Sequence, residues 1–240
     1  MNTTDERLKN LPIQRVKNIL LSPTTEWPVI AAETTTPKEL YLKYIMLLAA
    51  IPAVGMFIGM TMVGVSVPFF GNVRLDFGTG IAQAIMQYAM SLGMVWVVAL
   101  IIDGLAPKFG SEKNFIQSLK LVAYAMTPGW IAGILNILPS LGLLAVLASL
   151  YGLYLLYIGL APMKNPPADK QAPYFGVSLA CAILASIVMV AVMAAMRPVP
   201  ATTATSAEAR AKALQDAVMK QFEKTGDILN KKLEEAGKTK

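Results

Sequence analysis

The side chains able to do chemistry are few. The sequence holds no histidine and one cysteine, Cys181. Ser-His-Asp and Cys-His nucleophiles, and zinc sites built from His or Cys, therefore have no raw material, and no intrachain disulfide can form. Among the carboxylates, Asp103 closes a long apolar run, and Lys120 stands at the head of another. An ionisable group at such a place is a functional candidate by default. For Asp103 two readings stand: a cap or ion pair with Lys108 or Lys120 at the membrane interface, or a carboxylate coupled to proton or cation movement. Gln83 and Gln87 are four apart and share a helix face, which suits interhelical hydrogen bonds or a polar path. Tyr151, Tyr154 and Tyr157 advance by three and cover an arc of about 120°. Packing or interfacial anchoring explains them, or else the lining of a ligand site. The expectation is of a non-catalytic protein with neither cofactor nor metal.

The elements that must position these groups are membrane helices. Hydrophobic residues make up 55% of the chain, charged residues 15%, and mean hydropathy is +0.53. Soluble domains carry about 25% charged residues. Uncharged runs cover Tyr44 to Val73, Phe77 to Ile102, Leu121 to Met163 and Gln171 to Met196. A spanning helix needs about 20 apolar residues, so three runs hold one span each. The third run would extend about 65 Å as one helix, twice the membrane thickness. It breaks at Asn136-Ile137-Leu138-Pro139-Ser140-Leu141-Gly142, where proline and glycine mark a helical hairpin. Five spans result, at about 44–67, 80–104, 118–138, 141–162 and 174–196. Pro52 and Pro128 fall within spans and should kink them. Gly55/Gly59 and Gly129/Gly133 are small-xxx-small pairs that let helices approach, within the chain or between copies. The fold class is all-α: a polytopic integral membrane protein of five transmembrane helices, with a short amphipathic N-terminal helix and a C-terminal extramembrane helix. Three regions follow: 1–43, the N-terminal segment; 44–196, the five-helix domain; 197–240, linker and tail.

Orientation follows from charge. Eleven Lys and Arg residues flank alternate segments on one side, against Arg74 alone on the other, leaving the tail aside. The positive-inside rule puts the N-terminus in the cytoplasm and, with an odd span count, the C-terminus outside. The first 43 residues are polar and mixed in charge, unlike a cleavable signal peptide. The net charge of +6 suits anionic lipid headgroups. Basic residues are scattered rather than clustered with aromatics, which argues against nucleic acid as a partner.

Residues 11–21 read as a basic amphipathic helix, with Ile13, Val16, Ile19 and Leu20 apolar and Arg15 and Lys17 between them. A turn at 22–28 follows, ending on Trp27 and Pro28, and the indole suits headgroup depth. The helix lies on the membrane interface, packs on its own chain, or docks a protein partner. Thr36-Pro37-Lys38-Glu39 has a capping residue with proline at the first helical position, opening the first span. In the tail, Thr205-Ser206-Ala207-Glu208 resembles a capping box. The stripe Leu214, Val218, Phe222, Thr225, Leu229 behind it suits a coiled coil joining copies of the chain, or a helix on the membrane surface.

Arg15-Val16-Lys17-Asn18-Ile19-Leu20 with Pro23 and Trp27 resembles the opening signature of the bacterial branch of the Yip family. The resemblance continues at Asp103-Gly104-Leu105-Ala106-Pro107-Lys108-Phe109-Gly110, at Tyr124-Ala125-Met126-Thr127-Pro128 and at Tyr151 to Gly159. It implies five spans, a cytoplasmic N-terminus and an outward C-terminus, in the bacterial inner membrane. Eukaryotic members act in vesicle traffic and membrane shaping and associate with prenylated Rab GTPases. The N-terminal region here is shorter than theirs, and the 44-residue tail is extra to the core pattern. The resemblance thus implies a membrane-organising or partner-recruiting role; Gln83, Gln87, the tyrosines and the kinked spans motivate the alternative, a small-molecule transporter or channel. The marker residues of the resemblance are Arg15, Lys17, Trp27, Asp103, Pro107, Phe109, Gly110, Tyr124, Pro128, Tyr151, Tyr154 and Tyr157.

Overall fold

The computed structural model describes residues 12–67, 71–138 and 141–196, together with Gln215 and Met219. Two short helices come first, α1 (Pro12–Leu21) and α2 (Pro23–Ala32). Five helices long and apolar enough to cross a membrane follow. The first is α3, Pro37–Val63, opened by a capping box in which Thr36 and Glu39 bond reciprocally. Its ends carry wider turns at Tyr41–Ile45 and Gly59–Val63. Beyond it β1 (Val65–Val67) pairs antiparallel with β2 (Gly71–Val73), Val65 opposite Val73. The second spanning helix is α4, Phe77–Leu105, continued by a 3-10 turn over Ala106–Phe109. Asp76 caps it, its Oδ1 accepting from the Thr79 amide at 3.0 Å.

The third span is broken. It runs as α5 (Phe115–Ala125), α6 (Thr127–Ala132) and a 3-10 turn over Gly133–Ile137. Pro128 lies in the first turn of α6, where its missing N–H costs nothing, so the break falls just before it. The Leu141 amide bonds the Leu138 carbonyl at 2.8 Å before α7 (Gly142–Lys164), so the overlong run does split there. The last helix is α8, Ala168–Met196. The tail's capping box and its whole apolar stripe lie outside the described residues; of the tail only Gln215 and Met219 are described, both helical.

The broken third span forms the centre. Within its hydrophobic window 67% of residues are buried by protein, against 17% in α7 and 6% in α8. Its mean hydropathy, 1.2, is also the lowest, because its environment is other helices rather than lipid. Tyrosine hydroxyls tie the neighbours to it and to each other: Tyr44 to Thr127 (2.7 Å), Tyr41 to the Leu92 carbonyl (2.9 Å) and Tyr88 to the Met46 carbonyl (3.0 Å). Toward the end away from α1 and α2, α3 lies against the Gly133–Ile137 turn at backbone distance. A Cβ on Gly55 would come 2.5 Å from the Gly133 carbonyl, and one on Gly133 would run into Pro52. The small-xxx-small residues thus serve packing within the chain.

Candidate functional site

The site with the most buried polar chemistry is where α1 and α2 meet the spanning helices. The order of events in the sequence explains it. Pro23 takes the first helical position, so residues 23–32 form α2 rather than the turn expected over 22–28. A ten-residue helix leaves its last carbonyls without partners. Here the third span supplies them. Lys120 Nζ donates to the Ile30 carbonyl at 2.6 Å and the Glu33 carbonyl at 2.9 Å, and Gln117 Nε2 donates to the Ala31 carbonyl at 2.9 Å. A cation at the negative end of a helix is favourable in itself. At the end of α1, the Tyr151 hydroxyl donates to the Leu20 carbonyl at 2.8 Å.

The face of α1 turned inward is not the expected apolar stripe. Ile19 is buried and Val16 and Leu20 partly so, but Ile13 is 78% exposed and Arg15 is buried. The Arg15 guanidinium pairs with Glu26 and Glu33 and lies 5.9 Å from the centre of the Tyr124 ring. Burial opposes its charge, but Glu33, with Tyr124 and Glu26, overrides that and holds its pKa above the ordinary arginine value. Tyr124 in turn meets Tyr44 at 4.6 Å and the edge of Trp27 at 6.4 Å. Lys17 is exposed.

Trp27 is where expectation and structure part most plainly. Rather than lying at headgroup depth, it is 1% exposed, buried between α5 and α7. Its indole rests where a side chain on position 159 would be: a Cβ on Gly159 would come 2.6 Å from the ring. Among the described residues its Nε1 has no hydrogen-bond partner, so shape alone seats it. The physical reason is that α2 packs along α7, which turns this face of α2 away from lipid.

A second cluster lies alongside. Asp103 pairs with Lys164 at 3.0 Å, not with Lys108 or Lys120, and Lys164's side chain is fully buried. The same carboxylate accepts from the Asn114 amide at 2.8 Å and Ser118 Oγ at 3.2 Å, so it caps the loop after α4 as well. Lys120 faces away from it because the α2 carbonyls claim its ammonium. Gly110 ends the Ala106–Phe109 turn that Pro107 opens, at φ 75, a left-handed conformation natural to glycine. The turn lets Phe109 stack on Tyr174 at 5.0 Å, and the Tyr174 hydroxyl reaches the Ile102 carbonyl at 2.5 Å. Of the three tyrosines on α7, Tyr151 is bound to α1, while Tyr154 stacks on Tyr151 and Tyr157 meets Phe175, both partly exposed.

The structure thus gathers Arg15, Trp27, Tyr124 and Tyr151 around α1 and α2. Asp103, Pro107, Phe109 and Gly110 belong to the neighbouring turn, and Pro128 to the break in the third span. Glu26, Glu33, Gly159, Lys164 and Tyr174 were missed. Glu26 and Glu33 are seven apart, two helical turns, a same-face signal that was there to be read. The others depend on partners far along the chain.

Two cavities border this architecture. One of about 490 Å³ lies among the second to fifth spans, lined mainly by apolar residues with Gln87, Ser91, Ser149 and Ser186. The other, about 970 Å³, has a lining of charged and apolar residues and lies between α2 and the start of α3.

An α-helical membrane protein of five spanning helices, with a docked N-terminal helix pair, is what these features define. The Yip1 domain matches residues 17–192, and the chain belongs to that family. It is 28% identical over 134 residues to inner membrane protein YohC of Escherichia coli strain K12, covering 55% of this chain and 67% of that protein. The protein of the same name from Escherichia coli O6:H1 matches equally. No solved structure matches.

Proposed function

We propose that the chain is a non-catalytic organiser of the bacterial inner membrane, acting through a cytoplasmic face built by α1, α2 and the ends of the spans. The observation that carries this reading is the use made of buried charge. Arg15, Glu26, Lys120 and Lys164 each bond within the chain, the first three holding α1 and α2 in place and Lys164 fixing Asp103 and the loop after α4. Ionisable groups so committed are structural, leaving none of these four free to carry protons or cations. The orientation, N-terminus in and C-terminus out, rests on the eleven-to-one charge asymmetry. Membrane lipids are the first partners. The outward side of α1, with Ile13, Lys17 and Leu21 exposed, is the place for a protein partner, and the tail for self-association. Nucleic acid and cofactors have no part in this reading.

The test is reconstitution of the full chain into liposomes, with vesicle size and shape followed by electron microscopy and solute flux measured in parallel. Altered vesicle shape without flux supports the proposal. The apolar cavity favours a second reading, a small-molecule transporter. Flux that Gln87→Leu abolishes would establish it in place of the first.

A further inference from the structure

The cavity between α2 and the start of α3 has two kinds of lining. Charged residues make one: Arg15 from α1, Glu26 and Glu33 from α2 and its end, Glu39 and Lys43 from the head of α3. Apolar residues make the other, with Leu42 and Leu47 each more than half exposed. The head of α3 is where a membrane helix passes through the headgroup layer, and Leu47 is one helical turn beyond Lys43 toward the hydrocarbon. A ligand here therefore has a polar head among the charged residues and apolar chains along the leucines. Its volume, about 970 Å³, falls at the upper end of small-ligand sites, about 300–1,000 Å³.

The charges narrow the headgroup. Three carboxylates line the cavity, Glu26, Glu33 and Glu39, against two cations, Arg15 and Lys43. Arg15 is committed to Glu26 and Glu33. Lys43 is not: its side chain is 74% exposed and it uses one of three donors, on Glu39 at 3.4 Å. Glu33 and Glu39 keep unused lone pairs, since a carboxylate accepts about four hydrogen bonds. The charged lining thus carries one more negative than positive group, which disfavours an anionic head and favours a cationic one whose N–H groups meet the open lone pairs of Glu33 and Glu39. We propose that this cavity binds a zwitterionic aminophospholipid, its phosphate on Lys43 and its primary ammonium on Glu33 and Glu39. A quaternary ammonium lacks the N–H donors, and a glycerol headgroup lacks the positive charge. The assignment rests on the membrane-organising reading above and names its lipid.

The full chain in mild detergent, offered equimolar ethanolamine, choline and glycerol phospholipids of identical acyl chains, is read by native mass spectrometry. The ethanolamine lipid is expected to be retained about tenfold over the other two, the worth of one charge-assisted hydrogen bond. Glu39→Gln and Lys43→Gln alter exposed side chains and should leave the thermal midpoint nearly unchanged, the first abolishing that preference and the second lowering retention of all three lipids, whose phosphate is common. Equal retention of the three lipids by the wild type, preference for the glycerol lipid, undiminished ethanolamine preference in Glu39→Gln, or undiminished retention in Lys43→Gln would overturn the assignment. Solute flux from liposomes of the same preparation counts against the organising role alone, so the two failures separate.

Discussion

The two ends of the helix bundle are held together by different physics. At the end carrying α1 and α2, charged and polar side chains are buried and bonded: Arg15 with its glutamates, Lys120 on the α2 carbonyls, Lys164 on Asp103. At the other end, α3 meets the Gly133–Ile137 turn by close backbone approach, and an apolar cavity lies nearby among the second to fifth spans. Lipid is as apolar as leucine, so burying leucine drives helices together only weakly in a membrane. One end answers with polar bonds that lipid cannot replace, the other with small residues that raise dispersion contact. The difference teaches that cost of mutation here follows the kind of contact rather than the depth of burial.

The sharpest break is at Arg15. Removing its guanidinium leaves Glu26 buried without its cation, a loss of about 3–5 kcal/mol for a buried pair. Arg15→Met is thus expected to lower the thermal midpoint in detergent more than any other change described here. Adding Glu26→Leu should recover much of the loss, since an apolar pair replaces a buried ionic one at little cost. A double variant as unstable as the single one would show that the pair is not the unit that matters.

Next comes the Trp27 seat. Gly159→Ala forces a methyl group into the indole and should cost about 1–3 kcal/mol, as overpacking does. In a Trp27→Ala background the same change should cost clearly less, leaving the contact with Leu121 at 2.8 Å, a coupling that a double-mutant cycle reads directly. Gly133→Ala at the opposite end should cost a similar amount, because its added methyl meets Pro52, but with no coupling to Trp27. Coupling of Gly133 to Trp27 would mean that the two ends are not independent.

Hydropathy made the spans legible, and the split of the third run was legible from Pro139 and Gly142 because turn chemistry is local. Thr36 as a cap, with Pro37 at the first helical position, was legible for the same reason, though not the return bond from Glu39. Trp27 was not. Its position was decided by Gly159, 132 residues on, and by α2, which Pro23 and Pro28 disguised as a turn. Asp103 was recognised as a cap, but its cation lies 61 residues away, nearer candidates having been claimed elsewhere or left at the surface. Arg15 shows the same limit from the other side: an arginine within an amphipathic pattern reads as the solvated face until two glutamates are found beneath it.

Gln87 probes the apolar cavity with a smaller effect. Exchanging it for Leu removes a polar group worth about 0.6 kcal/mol in membrane helix packing, so stability should hold within about 1 kcal/mol. A larger drop would place an unrecognised hydrogen-bond network at that end and weaken the contrast between the two.

The smallest effect concerns pH, and it tests the same end. Asp76 bonds to Thr79 through the side chain and the amide, which holds its pKa below the ordinary aspartate value. A carboxylate with a depressed folded pKa adds stability that is present above its unfolded pKa and lost as pH falls through the folded one. Asp76 is exposed, so solvent screens the gain and the effect on the whole chain is slight. Asp76→Asn keeps a cap of similar quality without the titration. The thermal midpoint of the wild type should therefore fall slightly more than that of Asp76→Asn as pH is lowered through the acidic range. Parallel curves would mean that the cap of the second span contributes no pH-dependent stability, leaving the end opposite α1 and α2 free of any electrostatic contribution from that carboxylate.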